Sequence, residues 1–181
     1  MLMFQPLLKY ADFGGRARRT EFWLWVLFQK LLSYAALAVM GFISPQPFFD
    51  PAHQQNPEIY LRQSAIYYAP LLVIGLLLFI PSLAVQVRRL HDSNRSGWWV
   101  ILPLAILLLG GTVAAAWFTS QFHGKALPET IVPQIFIVMA IVYVPALLAV
   151  LLLFIFNLLD GTAGRNRFGP DPKGRDHIEA F

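Results

Sequence analysis

Four long stretches of apolar residues, separated by shorter polar segments, dominate the pattern of this chain. The stretches cover about residues 22–43, 65–87, 98–118 and 131–159. A hydrocarbon core ~30 Å thick requires about 20 helical residues at ~1.5 Å each, so every stretch is long enough to span a membrane. Backbone groups in lipid must be hydrogen-bonded within the segment, which isolated stretches of this length achieve only as helices. The pattern predicts an all-α integral membrane protein, with four transmembrane helices in a small bundle and a single domain over residues 1–181.

The segments between the stretches differ in character. The first loop, 44–64, holds four prolines and is expected to be irregular, with one or two helical turns near 58–64. The link 88–97 is so short that the second and third helices should form an antiparallel hairpin. The tail 160–181 is rich in glycine and proline, which is typical of turns rather than of a fifth helix.

The composition agrees with a membrane protein. Hydrophobic residues make up 57% of the 181 residues and charged residues only 13%, whereas a soluble domain carries roughly 25% charge. The chain has no cysteine, which excludes disulfides, thiolate catalysis and cysteine metal sites.

The basic side chains are unevenly distributed among the polar segments. Four lie before the first stretch, three in the link 88–97 and four after the last stretch, whereas the other two loops hold only Arg62 and Lys125. Cytoplasmic loops of membrane proteins carry such an excess of Lys and Arg. We therefore predict that both termini and the link 88–97 are cytoplasmic. The net charge of +4 and the pI near 9.6 then reflect topology, and no nucleic-acid partner is expected.

Three polar motifs lie in the segments with predicted cytoplasmic location. They read FGGRARRTEFWLW at 13–25, RRLHDSNRSGWW at 88–99 and GTAGRNRFGPDP at 161–172. In this order, separated by apolar spans, they resemble the bacterial inner-membrane family called domain of unknown function 805, and the resemblance covers nearly the whole chain. It implies a four-helix, multi-pass protein of the bacterial inner membrane. It implies no activity, because the name of the family assigns none.

The second motif offers most of the candidate chemistry. If the second helix continues past the membrane, Arg88, His91, Asp92 and Arg95 share one face at i, i+3, i+4 and i+7. Asp92 can then pair with Arg88 or Arg95, and His91 adds a donor that titrates near neutrality. One interpretation is a cationic pocket for a phosphate or carboxylate, reinforced by an arginine of the first motif. The other is anchoring by positive charge, with local ion pairs holding the hairpin.

The third motif is glycine-rich but lacks the Gly-Lys-Ser/Thr ending of a Walker loop. Asn166 and Asp171, beside Gly169 and Pro170, favour a tight turn packed against the other motifs. Because the three motifs share one membrane depth, and charges near a low-dielectric boundary are costly unless paired, we expect them to meet in space. Asp92 should then lie within salt-bridge reach of an arginine, with Arg16, Arg19, Arg88 and Arg95 as the candidates. The candidate residues for binding an anionic headgroup are Arg16, Arg19, Arg88, His91, Asp92, Arg95 and Asn166.

Lys30 is the one formal charge inside a predicted span. Intramembrane charges often mark conduction or coupling sites, and Gln29, Ser33 and Tyr34 nearby are compatible with such a role. Alternatively, the long lysine stem extends part of the way towards the interface. No comparable acid lies within the other three spans, which argues against an ion-coupled transporter.

The adjacent pair His91-Asp92 is similar to a pair in metal-dependent phosphohydrolases, whose sites need further His and Asp ligands. His53 and His123 are predicted on the opposite side of the bilayer, which leaves only His177. We therefore predict neither a metal nor a cofactor.

Three classes of function follow. We favour a non-enzymatic membrane protein whose cytoplasmic polar face binds an anionic lipid headgroup or a membrane-protein partner, which includes a homo-oligomer. A small transporter or channel subunit is the alternative, supported by Lys30 and the prolines in the spans. A membrane-embedded enzyme acting on a phosphorylated lipid is less favoured.

Overall fold

The computed structural model describes residues 2–43, 57–122 and 131–175. The helices are α1 (Gln5–Leu8), α2 (Arg19–Ile43), α3 (Pro57–Asp92), α4 (Leu102–Phe122) and α5 (Ile131–Leu158), with 3-10 helices at Leu2–Phe4 and Gly97–Val100. The four long helices, α2 to α5, are long and apolar enough to cross a membrane. The prediction of an all-α protein with four transmembrane helices is confirmed.

The long helices expose their apolar side chains instead of burying them. Leu31, Leu72, Leu108 and Leu147 all have more than half of their surface exposed. Contiguous apolar surfaces of this extent are unfavourable in water, but in a bilayer lipid tails cover them at no such cost. The surface of the molecule is therefore that of a protein solvated by lipid.

Helix α3 is much longer than the apolar stretch that predicts it. It begins at Pro57, where the fixed φ of proline suits a first helical position, and it continues through Pro70 and Pro81 to Asp92. Residues 58–64, expected to form one or two separate turns, are thus the first part of α3. The remainder of that predicted loop, residues 44–56, lies outside the described residues, as do His53, His123, Lys125 and His177.

The end of α3 corrects one prediction about the second motif. The Ser93 hydroxyl donates to the Leu90 carbonyl at 3.0 Å, a local bond that competes with continued helix. Asn94 then adopts a left-handed φ of 56°, which commonly terminates a helix. Arg95 therefore lies beyond the helix, and the expectation that it shares a helical face with His91 and Asp92 was wrong.

The chain divides into two compact units, and the predicted single domain stays a prediction. The first unit contains the residues up to Phe13 together with Thr20–Val85. Within it, the indole of Trp25 donates to the Ser82 hydroxyl at 3.2 Å and the Gln29 amide donates to the same oxygen at 2.7 Å. Such side-chain hydrogen bonds join helices in membranes, where no hydrophobic force drives them together.

The second unit contains Gly14–Arg19 and the described residues from Gln86 onwards. Its helices α4 and α5 approach closely at Gly110, where an added Cβ would lie 2.9 Å from Val142. Near the C-terminal end of α5, the Trp99 ring contacts the Phe156 ring edge-on, with ring centroids 5.6 Å apart. All three polar motifs have their central residues in this unit, so it holds the candidate site.

Candidate functional site

Asp92, the last residue of α3, is the centre of the polar contacts and is 1% exposed. Its Oδ1 accepts a hydrogen bond of 3.0 Å from Arg16 Nε, and its Oδ2 accepts one of 2.7 Å from Arg89. Its backbone carbonyl accepts from the Thr162 amide at 2.9 Å. Both carboxylate oxygens and the end of the helix are thereby satisfied, which a buried charge requires. We call Arg16, Arg89, Asp92 and Asp171 the Asp92 cluster.

Arg16 uses its guanidinium entirely within the protein. Besides Asp92, it donates to the carbonyl of Gly164 at 2.7 Å and to that of Thr162 at 2.5 Å. Its Nη2 also lies 3.8 Å from Asp171 Oδ1, and the side chain is only 1% exposed. A planar fork of donors suits this convergence of carboxylates and carbonyls. The side chain ties the first motif to the second and the third.

Arg89 connects Asp92 to the end of α5. It is completely buried and donates to the carbonyl of Leu159, and to that of Asn157 at 3.4 Å. The last carbonyls of a helix have no partner within the helix and carry a partial negative charge. The guanidinium of Arg89 satisfies these groups and balances Asp92 at the same time.

Asp171 forms the outer edge of the cluster. Its carboxylate accepts from Arg175 at 2.6 Å and from the Lys173 amide at 2.9 Å. Burial pushes the pKa of Asp171 upwards, but these hydrogen bonds and the charges of Arg175 and Arg16 outweigh it and lower the pKa to about 2. Asp171 is therefore ionised at any physiological pH.

Asn166 organises the tight turn of the third motif. Its side-chain oxygen accepts from the Phe168 amide at 2.9 Å, and its amide donates to the His91 carbonyl at 3.0 Å. The rings of Phe168 and His91 stack in parallel at 3.8 Å. The structural interpretation of Asn166, a turn held against the second motif, is confirmed.

Gly161 allows the third motif to pass directly over Asp92. A Cβ at this position would lie 2.0 Å from Asp92 Oδ2, so no side chain fits without displacing the carboxylate. The glycine is needed for close approach and not for an unusual backbone angle.

The three motifs therefore meet in space, as expected, and Asp92 pairs with an arginine that was among its predicted partners, Arg16.

The other candidate residues lie around this pair. Arg88 is 1% exposed, and its carbonyl accepts a hydrogen bond from the Ala17 amide at 3.0 Å. Arg19 is half exposed and donates to the Leu158 carbonyl at 3.1 Å. His91 contacts the Gly15 carbonyl through Nδ1 at 3.2 Å. Arg95 places its guanidinium over the Phe156 ring at 3.8 Å.

Sequence reasoning missed Arg89 as the second partner of Asp92. The spacing of Arg89 and Asp92 could have indicated this pair, because residues three apart on a helix are neighbours. It also missed Gly161 and Thr162, whose roles depend on the path of a loop. Lys30, the remaining predicted residue, belongs to the first unit. The role of all these residues in binding a ligand stays a prediction.

Comparison with known proteins agrees with the arrangement of motifs. The family described as protein of unknown function (DUF805) matches residues 10–170. The inner membrane protein YhaH of Escherichia coli strain K12 is 30% identical over 92% of both chains. The inner membrane protein YhaI is 27% identical over 92% of this chain and 91% of its own, and the uncharacterized protein YiiR is 29% identical over 88% and 85%. No solved structure matches the chain.

The matched region contains the first two motifs, the third as far as Pro170, and the four long helices. Together with the inner-membrane relatives and the apolar helices, it identifies a multi-pass protein of the inner membrane. The chain belongs to the family of proteins of unknown function DUF805.

Proposed function

We propose that this is a non-enzymatic inner-membrane protein with both termini in the cytoplasm, whose basic surface beside the Asp92 cluster binds the phosphate of an anionic lipid headgroup. The Asp92 cluster itself is the structural support of that surface. The observation that carries the proposal is a contrast between two sets of arginines. Arg16 and Arg89 are buried and bonded within the Asp92 cluster, whereas the arginines beside it are exposed or partly exposed.

Arg16 and Arg89 belong to the first set. Their hydrogen bonds end on Asp92 and on backbone carbonyls of the same unit. A phosphate could reach them only by replacing these partners, and breaking a desolvated ion pair is costly. We therefore do not assign the headgroup to Arg16 and Asp92, although the sequence favoured them.

Arg95, Arg165 and Arg167 belong to the second set, and with Trp98 we call them the arginine surface. Arg167 donates to the Asn94 carbonyl at 3.2 Å, which holds the third motif against the turn that carries Arg95. Arg95 is fixed by stacking on Phe156. The guanidinium groups of Arg95 and Arg165 donate no hydrogen bond to any residue that the structure describes. Trp98 is 76% exposed.

These features are the ones that a headgroup requires. Guanidinium forks match phosphate oxygens, and an exposed tryptophan suits the boundary between headgroups and acyl chains. Each basic contact with an anionic surface contributes about 1 kcal/mol. Loss of two contacts should therefore weaken binding by roughly 30-fold, since ~1.4 kcal/mol corresponds to a factor of ten.

The proposed orientation rests on the division of Lys and Arg between the polar segments. Reporter fusions after Pro51, Asn94, Gly124 and Gly174 should be outside, inside, outside and inside in turn. An externally active fusion at Asn94 or Gly174 would contradict it.

The test of headgroup binding is native mass spectrometry in mild detergent with equal amounts of phosphatidylglycerol and phosphatidylethanolamine. The parent protein should retain phosphatidylglycerol preferentially, and the double variant Arg95→Gln/Arg165→Gln should lose this preference. Arg62→Gln removes an exposed arginine from the other end of α3 and serves as the matched control. Equal lipid retention by all three proteins would contradict the proposal, and the arginines would then serve only to fix the orientation of the protein in the membrane.

A further inference from the structure

Lys30 lines a groove between α2 and α3 that the proposed function does not use. The groove has a volume of about 310 Å³, which is within the range of small-ligand sites. One wall carries polar side chains of α2 and the other carries apolar positions of α3. We call it the Lys30 groove, and its main residues are Lys30, Ser33, Tyr34, Ile74, Gly75 and Leu78.

Both helices place this groove near the middle of the bilayer. Lys30 lies eight residues along α2 from Phe22, where the first apolar stretch begins, a rise of ~12 Å. Ile74, on the opposite wall, is twelve residues from Arg62 and fourteen from Arg88, or ~18 Å and ~21 Å along α3. The four-carbon stem of a lysine is much shorter than any of these distances. Extension towards the interface therefore cannot bring the ammonium group into water.

The chain supplies no negative charge at this depth. None of its ten acidic residues falls within the four apolar stretches. Lys30 is exposed and forms no ion pair or hydrogen bond through its ammonium group with any part of the chain that the structure describes. A second copy of this chain, having the same sequence, offers no carboxylate at this level either. An intramembrane charge without a partner is expensive and marks a functional site by default.

Gly75 keeps the groove open. A Cβ built at this glycine meets nothing within 4 Å, and the residue lies inside α3 with ordinary helical geometry. A larger residue would therefore fit on the helix but would fill the space in front of Lys30. The Tyr34 hydroxyl, on a side chain that is 66% exposed, and the Ser33 hydroxyl provide further hydrogen-bonding groups on the same wall.

We propose that the Lys30 groove binds an amphiphile with a single carboxylate, whose charge pairs with the Lys30 ammonium and whose hydrocarbon chain lies along the apolar wall of α3. A lysine is a compact charge of +1, which balances one carboxylate and lacks the fork of donors that phosphate recognition employs. A carboxylic acid can also enter hydrocarbon in its neutral form, since a low dielectric disfavours the charged form. A phospholipid phosphate stays at the level of the headgroups.

The test compares decanoate with decanol, which have the same chain and differ in charge. Decanoate with a 13C label at its carboxyl carbon, and unlabelled decanol, are titrated separately into the full-length protein in a neutral detergent. Native mass spectrometry measures the binding of both probes, and the 13C carboxyl shift reports on the bound decanoate. Wild-type protein should bind decanoate at least about tenfold more tightly, because a hydrogen bond to a charged partner away from water is worth a factor of this size. Lys30→Gln should abolish the difference, and Gly75→Leu should weaken the binding of both probes.

Two matched controls are available in the same unit. Lys9→Gln removes an exposed lysine outside the groove, and Gly41→Leu adds the same side chain at a helical glycine with free space around it. Both should bind decanoate as the wild type does. Equal affinity of the wild type for decanoate and decanol, or unchanged preference in Lys30→Gln, would overturn the proposal.

Discussion

The Asp92 cluster and the Lys30 groove handle charge in a low-dielectric environment in opposite ways. In the cluster, two buried arginines share one carboxylate, and both also donate to backbone carbonyls. In the groove, one ammonium group has neither a carboxylate nor a carbonyl acceptor among the residues described. Charges that satisfy one another support a fold, whereas a charge that the chain leaves unpaired calls for a ligand.

This difference predicts opposite responses to removal of the charge. Breaking one member of a satisfied buried set leaves the others without partners and should destabilise the protein. Removing a solitary intramembrane charge should relieve a cost. The experiments below follow this contrast from the largest expected effect to the smallest.

Asp92→Ala should have the largest effect. It leaves Arg89 buried without its carboxylate partner and Arg16 with only the more distant Asp171, and breaking a buried pair in this way costs about 3–5 kcal/mol. The free energy of unfolding in detergent, followed by circular dichroism, measures the loss. Asp160→Ala is the control, because this carboxylate is 60% exposed where it pairs with Lys173 and Arg19, and exposed pairs contribute little. Similar losses in both variants would contradict the assignment of Asp92 as the centre of the cluster.

Gly161→Ala should be the next most damaging change. The new methyl group would overlap the Asp92 carboxylate, and overpacking of this kind costs about 1–3 kcal/mol. Gly111→Ala provides the comparison, since a Cβ at this helical glycine meets nothing within 4 Å. That variant should be stabilised by about 0.5–1 kcal/mol, because alanine favours helix. An unchanged free energy of unfolding in Gly161→Ala would show that the third motif does not contact the Asp92 carboxylate.

Acid should weaken the cluster in a defined pH range. The pKa of Asp171 is about 2 in the folded protein, against an ordinary value of 3.8. The unfolded chain therefore takes up this proton first, and the stability due to Asp171 is complete above pH 4 and is lost as the pH falls from about 4 to 2. Unfolding measured across this range should show a smaller pH dependence in Asp171→Asn than in the wild type. Parallel curves for the two proteins would mean that Asp171 is not held by Arg175 and Arg16.

Hydropathy predicted the four spans because lipid thickness dictates the length of an apolar run. It did not predict where the helices end. Helix α3 starts at Pro57 and includes Glu58 and Arg62, since polar residues that favour helix can extend a span into the headgroup region. Helix α4 also begins later than its apolar stretch, at Leu102 instead of residue 98. Ser96 first caps a 3-10 helix by accepting from the Trp98 amide, a local choice that hydropathy does not register.

The meeting of the three motifs was predictable from topology and from the cost of isolated charges. The partners of each arginine were not. Arg16 donates to the carbonyls of Thr162 and Gly164, and every residue has a carbonyl, so no residue type marks them. Arg89 could have been found from its spacing to Asp92, whereas the role of Gly161 depends on where the loop passes.

The most direct test of the contrast is to remove the two charges in parallel and compare the sign of the change. Lys30→Leu and Asp92→Ala are unfolded in the same detergent without added amphiphile. We expect Lys30→Leu to raise the free energy of unfolding by at least about 1 kcal/mol, part of the cost of a lysine at mid-membrane, while Asp92→Ala lowers it. A loss of stability in both variants would contradict the account, since Lys30 would then be a satisfied structural charge like those of the Asp92 cluster.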